Sequence, residues 1–161
     1  MSTPTENETT CWDTFNKVLS AGIDRIILFG PPGTGKTFSA LHVKKTPGQE
    51  SHRLTCTDDM TNTGGFLPSK DGFDYIEGAA IKARRGGGRL VVDEIDKAGG
   101  DVFATLLNMT DSAESAEWEH PVTGEKTYPK AGYTVIMTTN VEQIEELPEA
   151  LTDRFPVRAR I

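Results

Sequence analysis

The chain has few cysteines, little positive charge and no long apolar run, and each shortage excludes something. Cys11 and Cys56 are the only two cysteines in 161 residues, and no Cys or His partner stands near either at metal spacing. Neither a disulfide framework nor a zinc site is expected from them. No apolar stretch approaches the roughly 18 residues a membrane span requires. The first ten residues are polar and carry Glu6 and Glu8, whereas a secretory leader would begin basic and turn apolar. The expected location is therefore the cytoplasm. Lys and Arg number 17 against 24 Asp and Glu, a net charge of −7. That balance repels a phosphate backbone and leaves a nucleic-acid partner dependent on some local basic loop. One candidate loop, Arg84-Arg85-Gly86-Gly87-Gly88-Arg89, occurs once between a helical pattern and an apolar run and reads as helix C-cap chemistry. His42, His52 and His120 show no ligand spacing and receive no catalytic role.

What remains has the composition of one ordinary globular domain, long enough to bury roughly 70% of the surface its unfolded chain exposes. Trp12, Phe15, Val18 and Leu19 recur at helical spacing, and Gly22 can end that helix. Arg25-Ile26-Ile27-Leu28-Phe29 is a short continuous apolar run, the pattern of a strand buried on both faces. A helix is expected from Lys36, with Phe38 and Leu41 on one side, until Thr46-Pro47-Gly48 breaks it. Further on, the spacing predicts a strand at His52 to Thr57, an irregular surface loop from Asp58 to Gly72 and a helix from Tyr75 to Arg85. A strand follows at Leu90 to Val92, then a helix through Val102, Phe103, Leu106 and Leu107, and a hairpin turning at Val122 to Glu125. Tyr133 to Thr138 supplies another strand, Pro148 to Arg154 a short helix, and Val157 to Ile161 an edge strand. Strands alternating with helices favour a parallel sheet covered on both faces, with the ligand at the carboxyl ends of the strands.

Two segments carry chemistry. In Gly30-Pro31-Pro32-Gly33-Thr34-Gly35-Lys36-Thr37, the glycines let backbone N–H groups converge on phosphates, and the helix that starts there adds the favourable end of its dipole. Lys36 is placed to reach the β- and γ-phosphates, and the Thr37 hydroxyl to ligate Mg²⁺. Leu90-Val91-Val92-Asp93-Glu94-Ile95-Asp96 sets Asp93 at the end of a buried strand, where it would hold the same Mg²⁺. Glu94 is the candidate to orient and deprotonate an attacking water. No Asn-Lys-x-Asp guanine-reading motif occurs, which favours ATP over GTP.

Taken in order, these segments resemble the AAA+ superfamily and, within it, the MoxR-like and dynein-related ATPases. Walker A runs from Gly30 to Thr37 and Walker B from Leu90 to Asp96, and the similarity extends from about Ile26 to Phe155. The resemblance implies an α/β, three-layer P-loop NTPase fold with a mainly parallel five-stranded sheet flanked by helices. It makes Asn140, in Thr138-Thr139-Asn140, a sensor 1 residue that positions water beside Glu94. It makes Arg154, in Leu147 to Phe155, an arginine finger offered to the γ-phosphate of a neighbouring subunit, which implies a homo- or hetero-oligomeric ring of six subunits. Phe66, in Thr63-Gly64-Gly65-Phe66-Leu67, lies where family members often place a pore-facing loop, though a core-facing Phe fits the position equally well. The family normally continues into a helical lid, and the sequence stops at Ile161, which leaves open a piece of a larger protein, a lid on another chain, and a domain that works without one. The expected organisation is thus an N-terminal tail and helix over 1–22 and an AAA+ P-loop core over 23–161 without that lid. The expected activity is Mg²⁺-dependent ATP hydrolysis that remodels a protein partner. A nucleotide-dependent assembly module with little turnover and a DNA or RNA motor subunit remain alternatives.

Overall fold

A computed structural model describes residues 10–43, 45–56, 64–99, 104, 106–107, 110–111 and 117–161, with the side chains of 64–66 outside the description. Helix α1 (Cys11–Ser20) begins at Thr10, whose side chain accepts from the Asp13 N–H while the Asp13 carboxylate accepts from the Thr10 N–H, a reciprocal capping box. Strand β1 (Arg25–Phe29) leads through the glycine-rich loop into α2 (Lys36–His42) and on to β2 (Ser51–Thr55). Strands β3 (Gly64–Ser69) and β4 (Gly72–Glu77) pair antiparallel, and α3 (Ala79–Gly86) follows them into β5 (Arg89–Asp93). Short strands β6 (Trp118–Glu119) and β7 (Lys126–Thr127) form the hairpin expected around Val122 to Glu125. Strand β8 (Thr134–Thr139), helix α4 (Glu149–Thr152) and β9 (Val157–Arg160) complete the chain.

Five strands make one sheet in the order β2-β5-β8-β1-β9, and every pairing in it is parallel. The fold is α/β, as expected, with β9 at an edge. Alternation along the central strands divides the core into two halves. Ile27, Leu90, Val92, Val135 and Met137 face one side and pack with Ala80, Ile81 and Ala83 of α3. Ile26, Leu28, Val91 and Ile136 face the other and pack with Phe15 of α1 and Ala40 of α2. Both faces are covered, so the strands read as unbroken apolar runs. At the base of β1, Arg25 donates from Nε to the Thr110 carbonyl (3.1 Å) and from Nη2 to the Asp111 carbonyl (3.2 Å), and lies over the Tyr133 ring.

Three expectations need correction. The loop read from Asp58 to Gly72 holds strand β3 in its second half, and the helix read from Tyr75 begins only at Ala79. Phe73-Asp74-Tyr75-Ile76-Glu77 alternates in the way a strand does, with aromatic residues that favour extended backbone. Lys70-Asp71 makes the two-residue turn, with Gly72 following at φ 135°, and the helical spacing of Ile76, Ala79 and Ala80 competed with that signal. The first P-loop helix stops at His42 rather than at Pro47. Phe38 belongs to no core and is 69% exposed, while its helix buries Lys36 and Ala40 instead. Of the helix expected around residues 102–107, Leu106 and Leu107 are helical, while Val102 and Phe103 lie outside the described residues.

Candidate nucleotide site

All five parallel strands point their carboxyl ends the same way, and the loop after β1, the end of β5 and the end of β8 meet there around a cavity of about 300 Å³. The lining includes Lys36, Thr37, Asp93, Glu94 and Asn140, together with Arg53 and Thr138. The structure therefore brings the Walker A, Walker B and sensor 1 candidates to one place.

The loop is shaped for an anion. Gly33 and Gly35 hold left-handed backbone with open space where a Cβ would project, so N–H groups can turn inward unobstructed. Lys36 is buried, and its Nζ donates to the carbonyls of Gly30 (3.0 Å) and Pro31 (2.6 Å) and to the Thr34 hydroxyl (3.2 Å). Burial pushes the Lys36 ammonium below its ordinary pKa, a cost that an anionic neighbour offsets.

Asp93 is 1% exposed, yet each of its oxygens is partnered. Its Oδ1 accepts from the hydroxyls of Thr37 and Thr138, both at 2.8 Å, and its Oδ2 from Nε of Arg53. A buried carboxylate beside a hydroxyl at a helix start is the oxygen donor set that a hard divalent cation takes. These residues fit Mg²⁺. Next in the chain, Glu94 adopts φ 56°, the one left-handed non-glycine among the described residues, and so turns out of the strand into the cavity. Its Oε1 lies 3.0 Å from Nζ of Lys97. Asp96 accepts from the Thr139 hydroxyl at 2.8 Å, tying the turn after β5 to the end of β8.

Arg154 stands apart. It lines a second cavity with Asp24, Arg25, Thr110, Asp111, Asp153 and Pro156, at the amino-terminal end of the sheet. Its Nη1 donates to the Ala150 carbonyl (2.7 Å) and its Nη2 lies 4.0 Å from Asp111. A strand of five residues, about 15 Å, separates that end of β1 from the loop. Sequence reading missed Arg53, which lies on β2 with no local motif to mark it, and Thr138, which it noted only as part of the sensor segment. The basic Arg84 to Arg89 stretch is not a nucleic-acid face. Gly87 caps α3 through its N–H to the Ala83 and Arg84 carbonyls, while Arg84 and Arg89 are buried. Phe66 sits on β3 opposite Tyr75, and its side chain lies outside the described residues.

A parallel sheet with a glycine-rich anion loop after its first strand and an acidic pair at the end of a neighbouring strand defines a P-loop nucleotide-binding domain. A model of the AAA domain family, dynein-related subfamily, matches residues 25–155, and the chain belongs to that family, the AAA+ ATPases of MoxR and dynein-related type. An uncharacterized protein of Staphylococcus saprophyticus is 33% identical over 142 residues, covering 82% of this chain and 53% of that protein. An uncharacterized protein of Staphylococcus aureus strain USA300 is 30% identical over the same length and coverage. The chain thus spans about half the length of these curated relatives. A crystal structure of a candidate ATPase from Cytophaga hutchinsonii shares the fold, with a TM-score of 0.62 at 21% identity over 92% of this chain and 45% of that one. Among the described residues, no helix is long and apolar enough to cross a membrane.

Proposed function

We propose that residues 23–161 form an AAA+ core, with α1 packed on it, that binds ATP with Mg²⁺ and hydrolyses it. The observation that carries this reading is the convergence of Thr37, Asp93 and Glu94 beneath the glycine-rich loop, in one cavity with Lys36 and Asn140. The backbone of Gly30, Pro31, Pro32, Gly33, Thr34 and Gly35 cradles the phosphates, and Lys36 exchanges its carbonyl partners for phosphate oxygens. Thr37 and Asp93 would hold Mg²⁺, which when bound would neutralise negative charge that builds on the phosphates. Glu94 orients the attacking water and takes its proton, and Asn140 holds that water from the other side. Arg154 is too far from its own loop to serve there and would act on the site of a neighbouring copy, stabilising the spreading negative charge. That role requires a ring, and turnover in a ring supplies the rearrangement that remodels a protein partner.

Magnesium-dependent phosphate release by the purified chain tests this reading. Lys36→Ala and Glu94→Gln are expected to lower release at least about a hundredfold, with Glu94→Gln retaining nucleotide binding. Activity per subunit should rise with protein concentration, and Arg154→Ala should abolish that rise. Equal release by wild type and Glu94→Gln would remove Glu94 from the catalytic role, and tight ATP binding with negligible release at every concentration would leave an assembly module.

A further inference from the structure

We propose that Arg53 is a built-in counter-ion that competes with the divalent cation for Asp93, so that metal entry requires the guanidinium to leave. The inference rests on the reading of Thr37 and Asp93 as the metal-holding pair.

Asp93 is buried at the end of the central part of the sheet, and a buried carboxylate needs compensation for its charge. Two hydroxyls satisfy Oδ1 but carry no charge. The compensation comes from Arg53, whose Nε donates to Oδ2 across the β2–β5 pairing, where Thr55 and Asp93 are register partners. Arg53 lies two residues before Thr55 on the same strand, so its side chain leans along β2 toward the carboxyl end of β5. A divalent cation at Asp93 would bring positive charge to the same carboxylate, and two cations held on one carboxylate group repel.

The two ends of this ion pair differ sharply in exposure. The Asp93 side chain is 2% exposed and the Arg53 side chain 55%. The carboxylate is therefore fixed, while the guanidinium can turn into the open part of the cavity, which Arg53 also lines, at little cost in desolvation. Lys97 contacts Glu94 rather than Asp93. Among the described residues, Arg53 is thus the cation that pairs with Asp93 when the site holds no metal, and it lowers the apparent affinity for metal by the strength of that pairing.

The experiment measures Mn²⁺ binding by electron paramagnetic resonance in the presence of a non-hydrolysable ATP analogue, without reference to turnover. Arg53→Gln should tighten Mn²⁺ binding about fivefold, the size expected for losing a charge-assisted hydrogen bond that is partly screened by solvent. The same variant should melt below wild type in metal-free buffer, and the gap should close when Mn²⁺ and the analogue are added. Lys97→Gln removes a nearby positive charge without touching Asp93 and should change Mn²⁺ affinity less than about twofold. Arg53→Lys keeps a cation at the pair with a more flexible contact, is the variant to read should Arg53→Gln fail to fold, and should tighten binding about twofold. Unchanged or weaker Mn²⁺ binding in the Arg53 variants, or equal tightening in Lys97→Gln, overturns the proposal while leaving the metal site intact. Absence of Mn²⁺ binding by wild type, with Asp93→Asn no different, overturns the metal site itself and the proposal with it.

Discussion

Nζ of Lys97 lies 3.0 Å from Oε1 of Glu94, one turn of 3-10 helix further along the chain. Glu94 reaches that position because its left-handed backbone swings it out of β5. The hydrogen bond also raises the Lys97 ammonium above its ordinary pKa, so Lys97 stays charged throughout the neutral range. In the proposed reaction, Glu94 must leave Lys97 to take a proton from water.

Freeing Glu94 should therefore speed the chemical step. Lys97→Ala is expected to raise kcat about two- to threefold with KM for ATP unchanged, the modest size reflecting an exposed pair. Steady-state phosphate release measures both constants. A fall in kcat would mean that Lys97 positions Glu94 rather than restraining it.

Thr138 shares Oδ1 of Asp93 with Thr37 and is buried at the end of β8. Thr138→Val keeps the shape and removes the donor. The loss should cost about 1 kcal/mol of stability, a fall of about 3 °C in Tm for a chain of this size. With the carboxylate less firmly aimed, the Mg²⁺ concentration for half-maximal activity should rise about tenfold. A calorimetric scan and a metal titration of activity separate the two effects.

Gly30 joins β1 to the phosphate loop at φ 139°, and a Cβ there would stand 2.3 Å from the Ile161 carbonyl oxygen. Ile161 is held in place by its N–H to the Phe29 carbonyl, 2.8 Å away. Gly30→Ala should therefore push the end of β9 off β1 and cost about 2 to 4 kcal/mol from overpacking and backbone strain together. Urea unfolding gives the loss directly, and a loss under about 1 kcal/mol would show that the contact relaxes freely.

Two buried groups make the protein sensitive to alkali. Burial, then the neighbouring Asp96, Asp93 and Glu94, pushes the Cys56 thiol from 9.0 up to about 12. Burial likewise pushes the Tyr133 phenol from 10.0 up to about 12, against the pull of Arg25 and Arg84. Both pKa values are raised on folding, so their contribution is fully present below pH 9 and is lost as pH climbs toward 12, where the unfolded chain sheds protons the native one keeps. The urea midpoint should fall steadily above pH 9. At pH near 8, a thiol reagent should modify half-buried Cys11 and spare Cys56 until the chain unfolds.

The phosphate loop and the acidic pair were legible in the chain because each is a contiguous segment. Gly30 to Thr37 acts through its own backbone and the helix it begins, and Asp93 with Glu94 ends one apolar strand. Neighbours in sequence are neighbours in space there, whatever the rest of the molecule does. The alternation of apolar runs and helical spacing likewise implied the parallel sheet, since a strand buried on both faces must be apolar throughout. The tertiary structure alone decided which residues surround Asp93. Arg53 and Thr138 lie 40 and 45 residues away from it, on the strands that flank β5, and no periodicity marks either one. Their meeting depends on the order β2-β5-β8, which joins strands far apart in the chain and which no local pattern encodes. The β3–β4 hairpin was hidden for a related reason. Gly64, Gly65 and Pro68 make β3 read as a loop, the end of β4 fits a helical spacing almost as well as a strand, and pairing between the two strands, absent from any local pattern, decided both.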